Sequence, residues 1–338
     1  MTNTKTKKQH YVPQCYLKTW CFSDKDQVYV YDKVADSVRI NNVKDVAAER
    51  YFYDINPYDL LTEGQIAQLH EQGFNWDTNK KSQIIEHAFA DEIENPFSDV
   101  LKGIIETAVS ATPWYIKNCF FMDENKKYEF SAYLTMQFLR TKHIRSRFLD
   151  SADCLTQMLS DMGASDYSIE KYSVSKEKAQ NLHIKMLLNV PELIKTTNLF
   201  YRLTWLLGIN RTDTKLLTTD NPIGTHRHIN HPIMTMNGLA SKGVEVFYPI
   251  SPNLILIMFD GTYHKEVEPY DRWYIELTDS SNIDYYNSLL AMRADRMIFS
   301  CDNNFAILDE MKSKNPDIFR PARGQLKWGD KVYYPRKR

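Results

Sequence analysis

The sequence predicts an α+β fold in which an N-terminal β-hairpin and C-terminal antiparallel strands pack against a central bundle of long helices. Three observations carry that expectation. Near the start, Val28 and Val30 alternate with Tyr29 and Tyr31, the period of a strand. In the middle, Ile85, Phe89, Ile93, Phe97, Leu101 and Ile105 recur at helical spacing. After residue 199 strand patterns return. A chain of 338 residues with Tyr 21, Phe 16, Trp 6 and only 11 Gly has the length and aromatic content for a sizeable core.

Taken in order, Gln27–Lys33 and Val38–Ile40 form the hairpin, with Ala35, Asp36 and Ser37 at its turn. Asp45–Arg50 reads as a short helix, and 56–79 as a polar inserted connection. A long helix spans 81–111, and Pro96, which lacks a backbone donor, is expected to kink it. A second runs from Lys127 to Leu149 with Phe130, Leu134, Ile144 and Phe148 on one stripe, followed by helices at 152–162 and 176–194. Strands are expected at 200–207, 216–219, 244–249 and 254–259, the last two joined by the turn Ser251-Pro252-Asn253. A helix at 282–293 and a strand at 296–300 precede an irregular C-terminal segment. The hairpin is too small to fold alone, so one composite domain is expected: 1–80 hairpin region, 81–198 helical middle, 199–311 strand-rich part, 312–338 basic and aromatic tail.

Composition narrows the functional classes. The 42 basic and 43 acidic side chains nearly cancel, so nucleic acid or anionic lipid would have to meet a local patch. The polar N-terminus offers no signal sequence and no apolar run approaches the roughly 18 residues of a membrane span, so a cytoplasmic location is expected. Cys15, Cys21, Cys119, Cys154 and Cys301 are scattered, without a Cys-x-x-Cys pair, and read as free thiols. Glycine-rich phosphate loops, Gly-x-Ser-x-Gly elbows and His-Glu-x-x-His pairs do not occur in the sequence.

The segment His10-Tyr-Val-Pro-Gln-Cys-Tyr-Leu17 resembles the opening of the DUF4238 family, bacterial proteins of unknown function. Further resemblance lies in Val30–Lys33, Val46–Glu49 with Phe52-Tyr53, Ile93-Glu94, Gln137–Thr141, Thr219–Pro222, Pro249–Pro252 and Ala294–Arg296, in the family's order. The sequence departs from the family at Cys15, in a long insertion after the hairpin region, and in its C-terminal tail. The resemblance implies a fold and a shared polar set, and no particular chemistry.

Polar residues on apolar faces are the candidates for a site. Glu86 falls within about 20° of Ile93, Phe97 and Ile104 on a helical wheel, with Glu94 at the edge of the same arc. A carboxylate there is paired or neutral, and either a structural ion pair or a functional group. Gln137 and Thr141 fall in the stripe of the next helix with Arg140 at its edge, positioned to meet one of the glutamates or to clamp a phosphate. Asp220 and Asn221 end an apolar strand before Pro222, as a turn or as a metal ligand or base. His10 precedes the extended Val12-Pro13.

The leading expectation is a metal-assisted phosphoester hydrolase, a nuclease in its sharpest form. Its catalytic residues are His10, Glu86 or Glu94, and Asp220. Gln137, Arg140 and Asn221 bind substrate, and His10 with Asp220 holds Mg, Mn or Zn. These residues are expected to share one cleft. The alternative is a non-catalytic module that binds a small anion or acts in regulation. Lys314, Arg320, Arg323, Lys327, Lys331, Arg336, Lys337 and Arg338, interleaved with Phe319, Trp328, Tyr333 and Tyr334, suit a nucleic-acid strand or an ordinary solvated tail. His226, His228 and His231 are expected to be peripheral, with no helix or strand to fix their geometry.

Overall fold

The computed structural model describes residues 7–73, 83, 85–86, 89–229, 238–316, 318–319 and 326–336. Among them the α+β order holds, and the sheets are assembled from distant parts of the chain. Strand β1 (Lys8–His10) leads into the short helix α1 (Gln14–Leu17), then the hairpin β2 (Gln27–Asp32) and β3 (Ser37–Asn42). The expected helix at 45–50 is instead a 3-10 turn, Val43–Asp45, and a strand, β4 (Ala48–Arg50), which pairs antiparallel with β1. Ala47 turns the chain through φ 48°, which separates the two.

The polar connection holds helix α2 (Glu63–Glu71), capped at Thr62 by a capping box. The long helix around Pro96 is π-helical over Phe89–Glu94 and becomes α3 (Asn95–Ser110) with the proline in its first turn. Proline is tolerated there because the first amides of an α-helix have no partner within it. After α4 (Pro113–Asn118), the expected 127–149 helix is two. Helix α5 (Glu124–Leu139) stops at Arg140, and α6 (Lys142–Asp161) restarts behind Thr141, whose Oγ1 accepts the Ile144 amide at 3.5 Å. The helix expected at 152–162 is the continuation of α6. Helices α7 (Asp166–Tyr172), α8 (Lys176–Leu187) and α9 (Val190–Tyr201) follow, and the Asn189 cap with Pro191 divides the stretch expected as one helix.

The strand-rich part forms a five-stranded sheet in the order β10-β5-β9-β8-β7. Its members are β5 (Thr204–Asn210), β7 (Gly224–Arg227), β8 (Val244–Ser251), β9 (Leu254–Phe259) and β10 (Trp273–Leu277), and β10 runs parallel to β5. The two-residue β6 (Thr218–Thr219) belongs elsewhere, to a sheet ordered β3-β2-β11-β6. Helix α10 (Ser280–Arg293) ends just before β11 (Met297–Ser300), which lies between β2 and β6. The N-terminal hairpin is thus completed by a strand from the other end of the chain. Asp32, with no exposed surface, takes Arg296 on both carboxylate oxygens at 2.8–3.0 Å and Arg39 at 2.8 Å, pinning β2 to the start of β11.

The C-terminal segment is ordered where described, as α11 (Ala306–Lys314) and the hairpin β12 (Leu326–Trp328) and β13 (Lys331–Tyr333). Cys154 and Gln157 on α6 donate to the Tyr333 and Tyr334 carbonyls at 3.4 and 2.8 Å, so the hairpin is docked on that helix. One apolar cluster, from Tyr11 and Trp20 through Phe130 and Trp205 to Phe299, joins the N-terminal segment, the helices and the large sheet. None of the helices among the described residues is long and apolar enough to cross a membrane.

Candidate functional site

The break between α5 and α6 sends neighbouring residues in opposite directions, and two polar assemblies form around it. The first is sealed. Arg140, at 1% exposure, donates from Nη2 to the His10 carbonyl at 2.6 Å and to Glu94 at 2.8 Å, while its Nε lies 3.5 Å from the Tyr53 hydroxyl. The guanidinium also lies over the Phe89 ring at 4.4 Å. Burial alone would lower its pKa, but Tyr53 and Glu94 more than offset this and hold the guanidinium protonated.

Around it sit the other residues expected on the helix faces. Burial pushes Glu86 up to about 7, opposed by Arg140 and reinforced by Glu94 and Asp54. His10 is lowered by burial, although Glu94 pulls the other way, and its Nδ1 lies 3.4 Å from Gln14. Gln137 donates to the Tyr11 carbonyl at 3.5 Å. His10 Nε2, Glu86 Oε2, Gln137 Oε1 and Arg140 Nη1 are enclosed without a hydrogen-bond partner. So His10, Glu86, Glu94, Gln137 and Arg140 do converge, in the interior. Cys15 touches the same region, 3.8 Å from the Glu94 carbonyl, with its thiol pushed up to about 12 by burial.

Asp220 lies in the second assembly, an open cleft of about 500 Å³. It follows β6, whose neighbour β11 begins at Met297, so its carboxylate reaches around the end of that strand. One oxygen accepts the Asp295 amide, the other the Arg296 and Met297 amides, each at 2.9 Å. Burial first, and Asp295 second, raise the acid to about 7 against the pull of those three donors. Asp220 is therefore committed to holding Asp295 and Arg296 in place. Asn221 is buried too and donates to the Arg293 carbonyl at 3.2 Å. The metal pair expected from sequence, His10 with Asp220, is divided between the two assemblies: His10 faces Gln14, Glu94 and Arg140. Among the described residues, no group of three or more His, Cys, Asp or Glu side chains is arranged to hold a metal ion.

What the cleft presents is a different set. His143, in the first turn of α6, places Nδ1 at 3.1 Å from Asp295 Oδ1, while Asp295 Oδ2 is enclosed without a partner. Both side chains are about three-quarters buried, at 21% and 24% exposure. Tyr11 and Glu49 from the β1/β4 side, Asp220 and Met297 beneath, and Lys142, Arg147, Arg296 and Arg336 complete the lining. Glu49 is paired with Lys142, and Arg296 with Asp32. The Tyr11 phenol is raised well above its ordinary range, chiefly by burial and then by Asp220, Glu49 and Asp295.

Residues 8–304 match the family described as "Protein of unknown function (DUF4238)". The chain belongs to the DUF4238 family. Neither curated proteins nor solved structures give a match. The cleft draws Tyr11, Glu49, Asp220, Asp295 and Arg296 from four of the segments by which the sequence resembles DUF4238, and the sealed cluster draws His10, Glu94, Gln137 and Arg140 from three. Helix α11 and the terminal hairpin lie beyond the matched residues.

Sequence reasoning missed His143, which sits on a polar helix face, and Lys142 beside it. Asp295 was within reach, since it lies in the Ala294-Asp295-Arg296 segment already singled out. The histidine loop also differs from expectation: His226 lies on β7, and His228 Nε2 is 2.7 Å from the buried Glu245, which also accepts from Tyr285 and Tyr286. A strand and a carboxylate do fix those rings. His231 lies outside the described residues, as do Arg320, Arg323, Lys337 and Arg338 of the tail.

Proposed function

We propose that the open cleft hydrolyses a phosphoester, with His143 as the general base or acid and Asp295 as the residue that orients it. The observation that carries this reading is the His143 Nδ1 contact to Asp295 at 3.1 Å in a cleft edged by Lys142, Arg147, Arg296 and Arg336. A carboxylate on one imidazole nitrogen fixes the tautomer and leaves Nε2 to accept a proton from water or return one to a leaving oxygen. The α6 N-terminus adds partial positive charge where the substrate's phosphate would lie. In this role His143 replaces the His10, Glu86, Glu94 and Asp220 set drawn from sequence.

A nuclease is the narrower form. Trp328 and Tyr334 on the C-terminal hairpin are 60% and 58% exposed, and Arg336 carries that segment to the cleft, which suits a strand that stacks on the tail. A divalent-metal course would have to draw on Glu49, Asp220 and Asp295 of the cleft lining, which among the described residues are not grouped to hold an ion. The non-catalytic reading draws support from the internal pairing of Lys142 and Arg296.

One assay separates them: turnover of bis(p-nitrophenyl) phosphate and of a single-stranded oligonucleotide, with and without chelator, by parent and His143→Ala. Loss of one general acid–base group is expected to slow turnover by about 10²–10⁴-fold while the melting temperature stays near the parent's. Turnover lost on chelation assigns the metal course. Absence of turnover together with phosphate binding assigns the non-catalytic module.

A further inference from the structure

We infer that Ser146 is the nucleophile of the cleft, so that a substrate phosphate passes through a covalent phosphoseryl stage before water releases it. This rests on the reading of the cleft as a phosphoester site with His143 as its base, and adds the group that attacks first.

Helix α6 presents one face to the cleft. His143, Ser146, Arg147 and Asp150 stand at the i, i+3, i+4 and i+7 positions of that face, and all four line the open space. Residues three apart on a helix have Cβ atoms about 5–6 Å from one another. A helical side chain also leans toward the N-terminus, which carries the Ser146 hydroxyl back over the turn that holds His143. The imidazole is held by its other edge, since Nδ1 lies 3.1 Å from Asp295. Nε2 is then the nitrogen that takes the serine proton.

The Ser146 hydroxyl is not spent on its own helix. Elsewhere Thr107, Ser131, Thr135 and Ser288 turn theirs back onto the carbonyl four residues earlier, at 2.6–2.9 Å. Half-buried Ser146 makes no such bond to Lys142, nor any other among the described residues. The other candidates in the lining are engaged or mismatched. Lys142 is paired with Glu49, the Asp220 carboxylate accepts three amides, and burial raises the Tyr11 phenol well above its ordinary range. Among the described residues no cysteine lines the cleft.

In the first half-reaction, Ser146 Oγ bonds to phosphorus as the bond to the leaving oxygen breaks. The serine proton passes to His143 Nε2 and from there to that oxygen. In the second, water gives a proton to Nε2 and its oxygen bonds to phosphorus. The phosphorus–serine bond breaks and the proton returns to Oγ. Neither half changes an oxidation state.

The test uses the full chain with two probes. Diisopropyl fluorophosphate, which phosphorylates an activated serine with loss of fluoride, is read by intact mass and peptide mapping, and bis(p-nitrophenyl) phosphate by turnover. Parent protein is expected to carry one adduct, on Ser146, and His143→Ala to form it about 10²–10⁴-fold more slowly. A serine that only packs in the wall gives no adduct. Because the adduct is mapped in the parent, the result stands whatever alanine at Ser146 does to folding. Ser146→Ala is expected to lose the adduct and to slow turnover by about 10²-fold or more, with a melting temperature near the parent's. If Ser146→Ala turns the diester over at the parent rate while His143→Ala does not, water attacks directly: the nucleophile falls and the phosphoester reading stands. A His143-dependent adduct on Ser146 without turnover of the diester has the opposite meaning: the nucleophile stands and the phosphoester reading falls. A parent chain that takes no adduct on Ser146, or forms it equally fast without His143, overturns the inference.

Discussion

The sealed cluster and the open cleft are built from the same two stretches of chain, residues 10–11 and 140–143, yet they use charge in opposite ways. In the cluster, Arg140 meets a carboxylate, a carbonyl and a phenol, and its own exposure is 1%, although its Nη1 keeps no partner. In the cleft, His143 and Asp295 hold each other at 3.1 Å, one Asp295 oxygen has no partner, and Arg147 lines the same open space. A polar residue on an apolar helix face here marks the buried cluster and not the cleft. The groups that line the cleft from these stretches, Tyr11, Lys142 and His143, sit one to three residues further along.

Substitutions at four positions test the division between cluster and cleft. Arg140→Ala is expected to cost about 3–5 kcal/mol in chemical denaturation, because Glu94 is left without its partner, and Arg140→Lys should recover part of it. An alanine variant as stable as the parent would remove the scaffold role. Asp220→Asn turns an acceptor toward amides that need one, and a buried donor left unpaired costs about 1–3 kcal/mol, so a loss of roughly 3 kcal/mol is expected in urea unfolding. A small loss with full loss of turnover would instead move Asp220 into the chemistry.

Asp295→Asn should cost less than about 1 kcal/mol, as for partly exposed pairs, while slowing turnover through a misdirected His143. Unchanged turnover would leave His143 without an orienting partner. The smallest effect is expected at Glu86. Its folded-state pKa of about 7 exceeds the ordinary 4.5, so its contribution is fully present below 4.5 and fades as pH rises through 7. Melting curves should show Glu86→Gln losing less stability than the parent between about pH 5 and pH 8. A parallel pair of curves would mean that Glu86 titrates normally.

Local pattern made the hairpin legible, because Val28 and Val30 both face the core while Tyr29 lies on the other side. It also gave β8 and β9 around Ser251-Pro252-Asn253. The α5/α6 break was hidden because apolar residues continue through Phe138, Leu139 and Ile144, so only the Thr141 cap signals a restart. Strand β10 is short and finds its parallel partner far away in the chain, and β1 pairs with β4 across 38 positions of sequence, which no periodicity reports. That Arg140 meets one of the two glutamates was legible because burial forces charges to pair, while the choice of Glu94 over Glu86 was not. The pairing of His143 with Asp295 depends on α6 and β11 meeting, a tertiary fact.

The insertion of β11 between β2 and β6 also has a bearing on synthesis. Asp295 and Arg296 sit at the entrance to that strand, and the Asp220 carboxylate is fastened to their amides and to that of Met297. A ribosome-bound chain that has not yet emerged past residue 297 has its hairpin and helices but no closed cleft wall, and joining the two ends is a long-range, slow step in folding. The cleft is therefore among the last parts of the molecule to exist, and a nascent chain carries its scaffold before it carries its site.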